Sequence, residues 1–155
     1  MKKLKFPRLL WWRLLTELKK RGGGYRESGA FLLSKVGNSK VCEFLCYDDL
    51  DPHSLDSGII IFHGHGYIPL WEHCRKNNLC VVADVHTHPD KWTDQSQSDR
   101  TNPMISLREH IAMIVPNYAQ NNWRGLQGVG IHQYLGNHHW RSWKAKSGRI
   151  SLSLL

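Results

Sequence analysis

The feature that most constrains the fold is a short apolar run in the middle of the chain, residues 79–85 (LCVVADV). It is rich in β-branched side chains and nearly continuous in apolar residues, as strands covered on both faces are. A long polar stretch, 86–109, follows at once and contains Pro89 and Pro103. Loops of this length inside a compact domain are usually functional. The sequence therefore predicts a central strand that leads into a functional loop.

Two helices are predicted, one near the start of the chain and one directly before this strand. Residues 7–21 carry leucines at every fourth position and are followed by three glycines, which is typical of an amphipathic helix and its end. A second helix is expected over 68–78, with Leu70, Trp71 and Cys74 on one side.

The remaining apolar segments predict strands. They cover residues 28–36, 40–47, 59–62, 110–115, 128–134 and 138–143. The first two are expected to form a hairpin through Gly37-Asn38, whereas 59–62 (IIIF) is expected to be a short buried strand. Residues 48–58, with four acids, are predicted to be a loop. Because strands and helices do not alternate regularly, we expect an α+β or mixed α/β fold in a single domain over residues 1–155.

Composition excludes several classes of protein. The chain has 155 residues, of which 41% are hydrophobic and 22% charged, which is typical of a globular domain and not of a disordered chain or coiled coil. No apolar run approaches the roughly 18 residues that a membrane-spanning helix needs. Its four cysteines form no C-x-x-C and are expected to be free, buried thiols, and the start does not resemble a secretory signal. We therefore expect a cytoplasmic protein.

The net charge of +8 is unevenly distributed. Residues 1–26 hold nine Lys or Arg against Glu17 alone, whereas residues 27–140 hold eight bases against twelve acids. Residues 141–155 hold four bases and no acid. An acidic middle between basic ends argues against a nucleic-acid surface that covers the whole domain.

The polar loop opens with a pattern that predicts a metal site. His86 and His88 are two residues apart, so on an extended chain both imidazoles point to the same side. Asp99, eleven residues further on, can fold back as a third ligand. Two histidines and one carboxylate with an open fourth position are typical of catalytic zinc. A second pair, His63 and His65, lacks the matching Ser and Asp downstream and is expected to be a pair of surface or loop histidines.

Glu27 extends this pattern upstream. It is followed by small residues and a strand, and the loop then has the form H-x-H-P, six residues, S-x-x-D. The matched positions are Glu27, His86, His88, Pro89, Ser96 and Asp99. This arrangement resembles the JAMM motif of the JAB/MPN (MPN+) metalloprotease family, and the small size resembles its prokaryotic branch. The resemblance spans roughly residues 8–143. It departs from many relatives at Ser34, where Gly is frequent, and at Thr87, where Ser is frequent.

The resemblance implies a fold, a cofactor and residue roles. The fold would be a curved mixed sheet flanked by helices, related to the cytidine deaminases, although their H-x-E and P-C-x-x-C motifs are absent. His86, His88 and Asp99 would hold Zn²⁺, with Glu27 as general base and Ser96 as hydrogen-bond donor to the oxyanion. Asp84 has two possible roles: a hydrogen-bond partner for a ligand imidazole, or simply a carboxylate at the end of the strand. For Trp92 and Asp94, substrate contact and loop packing both stay open.

The implied activity is a zinc isopeptidase or peptidase that acts at the C-terminus of a ubiquitin-like protein, in a bacterial conjugation system that can belong to antiphage defence. Activating and conjugating enzymes encoded nearby would be partners, and the substrate tail would dock beside residues 59–62 as an added strand. Alternatives are trimming of a sulfur-carrier protein, a scaffold without catalysis, and a nucleic-acid partner as suggested for RadC-type relatives. The last is disfavoured, because those relatives have Asn at the position of Thr87 and Ser-Gly after the proline.

Overall fold

The computed structural model describes residues 3–120 and 125–154. The strands are β1 (Leu4–Pro7), β2 (Gly29–Lys35), β3 (Glu43–Cys46), β4 (Leu79–Thr87), β5 (Ile111–Val115), β6 (Gly130–Gly136), β7 (His139–Lys144) and β8 (Ile150–Ser153). The α-helices are α1 (Arg8–Gly22), α2 (Tyr47–Leu50), α3 (Tyr67–Asn77) and α4 (Gln97–Thr101). No described helix combines the length and the apolar character that crossing a bilayer would require.

Six strands form one mixed sheet in the order β3-β2-β4-β5-β6-β7. Strand β4 lies inside the sheet, antiparallel to β2 and parallel to β5, so the predicted central strand is confirmed. The predicted hairpin is also confirmed, because β2 and β3 pair antiparallel. The expected α+β architecture with a curved mixed sheet and flanking helices is therefore correct.

The sheet buries both of its faces, and a β-bulge decides which side chains of β4 lie on each face. Leu32 on β2 pairs with Ala83 but the next residue pairs with Val81, so Val82 is the extra residue of β4. Beyond the bulge, Ala83 belongs to the core under α1. Asp84, which pairs with Phe31, lies on the opposite side with α3.

The chain ends form a second, two-stranded sheet that the sequence did not predict. Strand β1 pairs parallel with β8, and Leu4 lies opposite Ile150. Each strand has only four residues, and each depends on a partner almost the whole chain away, so neither gives a local pattern. The pairing brings the two basic ends of the chain together beside α1.

The predicted strand at 59–62 is wrong. This segment is irregular, and Ile59 and Ile61 are 52% and 47% exposed. The Ile61 backbone N–H donates to the Ser54 carbonyl of the preceding turns and not to a strand. Phe62 packs edge-on against Phe31, which anchors the segment over the sheet without adding to it.

Three smaller differences concern the helices and the segment between β3 and α3. The helix predicted at 7–21 is confirmed one residue later, with Pro7 ending β1. Trp71 is 47% exposed and stacks on Tyr67, because only Leu70 and Cys74 lie on the buried stripe of α3. The predicted loop at 48–58 begins with α2, whose Asp48 and Asp49 bind Arg21 of α1 at 3.0 and 2.8 Å. All four cysteines are free, and only Cys46 and Cys74 are buried.

Candidate metal centre

The three predicted ligands converge where β4 ends. The Nε2 atoms of His86 and His88 lie 3.2 Å apart. Asp99 approaches both, with Oδ2 at 3.2 Å from His88 Nε2 and Oδ1 at 3.4 Å from His86 Nε2. Among the described residues this is the one group of three or more His, Cys, Asp or Glu side chains positioned to hold a metal ion.

These separations fit a small tetrahedral ion. With bonds of about 2.0–2.1 Å, as zinc makes to nitrogen and oxygen, neighbouring ligand atoms of a tetrahedron lie roughly 3.3–3.4 Å apart. The 3.2 Å between the two histidine nitrogens is close to that edge. Asp99 approaches the two rings with different oxygens, and one ligand atom from each of the three residues lies within 4.8 Å of the others. Two imidazoles and a carboxylate leave a fourth position open, which is typical of catalytic rather than structural zinc. The residues present therefore fit Zn²⁺.

The ring of His88 is oriented by the loop that follows it. Its Nδ1 lies 3.0 Å from the carbonyl oxygen of Trp92, so Nδ1 can donate there, which would leave the Nε2 lone pair to a bound ion. The indole of Trp92 also stacks on the imidazole, with ring centroids 5.4 Å apart. The loop is fixed in turn at Thr93, whose carbonyl oxygen lies 2.9 Å from His132 Nε2. The same oxygen lies so close to Gly130 that a Cβ at that position would collide with it.

Asp99 is held by the first turn of α4. Ser96 caps this helix: its Oγ accepts from the Asp99 backbone N–H at 3.0 Å, and Asp99 Oδ2 accepts from the Ser96 N–H at 2.9 Å. This capping box fixes the carboxylate beside both histidines. It uses Ser96 as an acceptor, so the hydroxyl hydrogen stays available to donate.

The field of the site favours positive charge. Burial opposes ionisation of Asp99, but hydrogen bonds from His86 and His88 outweigh it and hold the pKa of this carboxyl well below its usual range. Burial also opposes the charged form of His86 and so lowers its pKa, but Asp99 and Glu27 outweigh this effect, and the pKa of His86 is raised overall. A divalent cation bound between these side chains would satisfy the same field.

Glu27 lies beside this group because β2 and β4 are joined at that point. The next residue, Ser28, exchanges hydrogen bonds with Thr87: its N–H donates to Thr87 Oγ1 at 3.0 Å, and its carbonyl accepts from the Thr87 N–H at 2.9 Å. The Glu27 N–H is bound by the Gly58 carbonyl at 2.8 Å. Burial raises the pKa of the Glu27 carboxyl, although His86 and other neighbours oppose that rise. Thr87 thus positions Glu27, a role that sequence reasoning missed.

One pocket of about 610 Å³ contains the site. The predicted site residues that line it are Glu27, His86, Ser96 and Asp99, and the 59–62 segment forms an apolar wall. Trp140 of β7 also lines it and donates from Nε1 to the Arg100 carbonyl, 3.0 Å away. The pocket brings the predicted base, the predicted oxyanion donor and two ligands to one cavity.

The hydrogen-bond role considered for Asp84 is wrong. Its buried carboxylate lies near the end of β4, and its partner is His110, whose Nε2 lies 2.7 Å from Asp84 Oδ2, rather than a ligand imidazole. His110 was not anticipated, because it becomes a partner only through the pairing of β4 with β5. Asp94 is exposed and accepts from the Gln95 N–H.

The second histidine pair is a loop feature, as expected. His63 and His65 are exposed and lie against the buried Asp51, with His63 Nδ1 at 2.8 Å and His65 Nε2 at 3.4 Å. Burial raises the pKa of Asp51, but hydrogen bonds from the His63 backbone and ring dominate and lower it from 3.8 to about 2.

Asp51→Asn should destabilise the protein in a pH-dependent way. A carboxyl with a depressed folded-state pKa stabilises the fold above its unfolded value and loses that contribution as pH falls through its folded value. The difference in free energy of unfolding between wild type and variant should therefore be full above pH 4 and shrink toward about pH 2. Urea unfolding across this range measures it; a difference that stays constant would contradict the assignment.

Comparisons with known proteins establish a shared fold. No protein-family model matches the sequence. The structure is similar to the solution structure of protein DSY2949 from Desulfitobacterium hafniense, with a TM-score of 0.60 and 13% identity over 97% of this chain and 92% of that chain. It is also similar to a protein from Salinibacter ruber, with a TM-score of 0.58 and 14% identity over 91% of this chain and 88% of that chain. AF2198, a JAB1/MPN domain protein from Archaeoglobus fulgidus, aligns with a TM-score of 0.42 and 16% identity over 98% of this chain and 97% of that chain.

Proposed function

We propose that the protein is a zinc-dependent peptidase or isopeptidase of the JAMM type, which cleaves the bond that follows the C-terminus of a ubiquitin-like protein. The observation that carries the proposal is the convergence of His86, His88 and Asp99, two of which, His86 and Asp99, line one pocket with Glu27. The JAMM-like order of these residues along the chain supports the same chemistry. The proposed partners are the ubiquitin-like substrate and the enzymes that activate and conjugate it.

The chain's own residues supply the remaining parts of a hydrolytic site. When bound, zinc supplies a Lewis acid that polarises a carbonyl and lowers the pKa of a water to about 7. Glu27, fixed by the Ser28–Thr87 exchange, accepts the proton of the attacking water and passes it to the leaving amine. Ser96 donates its free O–H to the oxyanion that develops on the scissile carbonyl. Capping by Ser96 keeps Asp99 and this donor in one rigid turn.

The pocket wall suits an extended tail. Ile59 to Phe62 run as irregular, partly exposed chain along the pocket that holds Glu27 and His86. A flexible substrate tail can lie against these apolar side chains and place its last peptide bond at the ligands. The side chain of Ile60 is half-buried there, so Ile60→Asp is expected to weaken substrate binding.

Cleavage assays test the proposal. Purified protein is incubated with a ubiquitin-like protein encoded beside it, as a linear fusion and as an isopeptide conjugate, with and without a zinc chelator. We expect release of the tail, loss of activity with the chelator and recovery on adding zinc. Cleavage of a sulfur-carrier fusion alone would favour precursor trimming, whereas binding without cleavage of either substrate would favour a scaffold.

Ser96 offers a direct test of the assigned donor. Ser96→Ala removes two functions. Loss of the helix cap should lower the free energy of unfolding by about 1 kcal/mol. Loss of the hydroxyl donor should lower kcat by about 10²–10³-fold. Ser96→Gly retains most of the capping free energy, and Ser96→Thr retains both functions. Steady-state kinetics and thermal unfolding should therefore show a stable but slow glycine variant. A glycine variant as fast as wild type would exclude Ser96 as the donor.

A further inference from the structure

A histidine in the middle of β6 binds the loop that follows His88. His132 is only 3% exposed, and both of its ring nitrogens contact polar atoms. Nε2 lies 2.9 Å from the Thr93 carbonyl oxygen, and Nδ1 lies 2.7 Å from the Ser142 hydroxyl on β7. The pairing of β6 with β5 and β7 uses backbone groups, so the sheet itself does not need these side-chain contacts.

The two partners of His132 fix the direction of both hydrogen bonds. A carbonyl can only accept, so Nε2 donates to Thr93, and a neutral imidazole then accepts at Nδ1. The Ser142 hydroxyl therefore donates to Nδ1. Burial lowers the pKa of His132, although the Thr93 carbonyl opposes this effect, and the neutral ring is favoured. Ser142 thus selects the tautomer that binds the loop.

The backbone of β6 is also shaped for this contact. A Cβ on Gly130 would collide with the Thr93 carbonyl oxygen and would lie 2.9 Å from His132 Nε2. Glycine therefore lets the loop approach the strand closely enough for the hydrogen bond. Thr93 is also held by its own side chain, whose Oγ1 donates to the Gly128 carbonyl at 2.7 Å.

Thr93 is joined directly to the group that orients His88. The Trp92 carbonyl, 3.0 Å from His88 Nδ1, belongs to the planar peptide unit between Trp92 and Thr93. The carbonyl that His132 binds belongs to the next peptide unit, and the two units share the Thr93 Cα. A displacement of Thr93 therefore changes the position of the Trp92 carbonyl and, with it, the orientation of the His88 ring.

We propose that His132 is a positioning residue for the proposed metal centre, because it fixes residues 92–93, whose carbonyl orients His88. The inference rests on the proposed function, since it takes the three proposed ligands as a zinc site. His132 lines a groove of about 900 Å³ together with Ser142, whereas a different pocket contains Glu27. His132 therefore acts through the loop and not on the reacting atoms.

Zinc affinity in matched variants tests the proposal. His132→Leu removes both ring contacts, and we expect the zinc dissociation constant to rise by about 10-fold, the lower end of the range for partners of ligating histidines. His132→Gln keeps an N–H within reach of Thr93 and should restore most of the affinity. His139→Gln, at an exposed position of the same hairpin, should bind zinc as wild type does. Wild-type affinity in a folded leucine variant would overturn the proposal.

A second variant changes the contact while the histidine stays intact. Gly130→Ala places a methyl group against the Thr93 carbonyl, so it should also raise the zinc dissociation constant by about 10-fold. Urea unfolding shows which variants fold. If neither this variant nor His132→Leu folds, Ser142→Ala replaces them, because it removes only the exposed donor that selects the His132 tautomer. Unchanged zinc affinity in every folded variant would contradict the role of His132.

Hydrogen exchange in the metal-free protein separates this inference from the proposed function. The backbone amides of Asn117 and Tyr118 report on the loop, because they donate to the carbonyls of Asp90 and His88. In His132→Leu we expect both amides to exchange about 10-fold faster, while the amides of β2 and β4 keep their wild-type rates. If wild type bound no zinc, the proposed function would fail, but this result would still support the positioning role. Unchanged exchange at both amides, or equally faster exchange throughout the sheet, would refute it.

Discussion

Glu27→Gln should lower kcat by about 10²–10⁴-fold, the usual contribution of a general base, while the zinc content stays at the wild-type level. The amide has nearly the shape of the carboxylate but cannot accept the proton of water. The proposed metal ligands are other side chains, and the backbone on both sides of Glu27 is held by Gly58 and Thr87, so the site should keep its form. Loss of turnover without loss of metal is the expected signature.

Steady-state cleavage and metal analysis of the same sample measure this effect. Glu72→Gln, on the exposed face of α3, is the matched control and should retain wild-type values for both. A Glu27→Gln enzyme that cleaves near the wild-type rate would refute Glu27 as the base. A variant that loses zinc would show instead that Glu27 holds the metal.

His88→Ala and Asp99→Ala should lose the metal itself and all turnover. Each removes one of the three proposed protein ligands, and His88 is also the ring whose Nδ1 is fixed by the Trp92 carbonyl. A hydrogen bond at the second ring nitrogen is typical of histidines that bind a metal. We expect about one zinc per chain in wild type and background levels in both variants.

The chain provides its own control for this experiment. His63→Ala removes a histidine from the other H-x-H pair, which is exposed and rests on Asp51. Its zinc content should remain that of wild type. Circular dichroism should confirm that all three variants fold, because Ala at position 99 also removes one half of the α4 capping box. Zinc binding retained by folded His88→Ala would contradict the ligand assignment.

Local patterns in the sequence predicted two main elements of the fold. The leucines at every fourth position predicted α1, and the apolar run predicted β4 as an interior strand, since both patterns are complete within one segment. The spacing of His86, His88 and Asp99 predicted their convergence, because the geometry of a strand and the chemistry of the metal restrict it strongly.

The features that the sequence did not predict depend on distant parts of the chain. The bulge at Val82 places Asp84 and His86 on the face opposite Ala83, and only the pairing with β2 shows it. The segment 59–62 is apolar enough for a strand, but its side chains form a pocket wall and its backbone is bound by a turn. The Asp84–His110 pair likewise exists only because β4 and β5 are neighbours.

The mass spectrum of the reaction products in ¹⁸O-labelled water tests the central claim most directly. Zinc-loaded protein is incubated with the ubiquitin-like fusion, and the two fragments are weighed. Hydrolysis at the proposed site predicts a new C-terminus at the end of the ubiquitin-like protein, carrying one oxygen from the labelled water. With Glu27→Gln, no labelled product should form in the same incubation. An intact fusion after incubation with zinc-loaded wild-type protein, or equal cleavage by Glu27→Gln, would contradict the account.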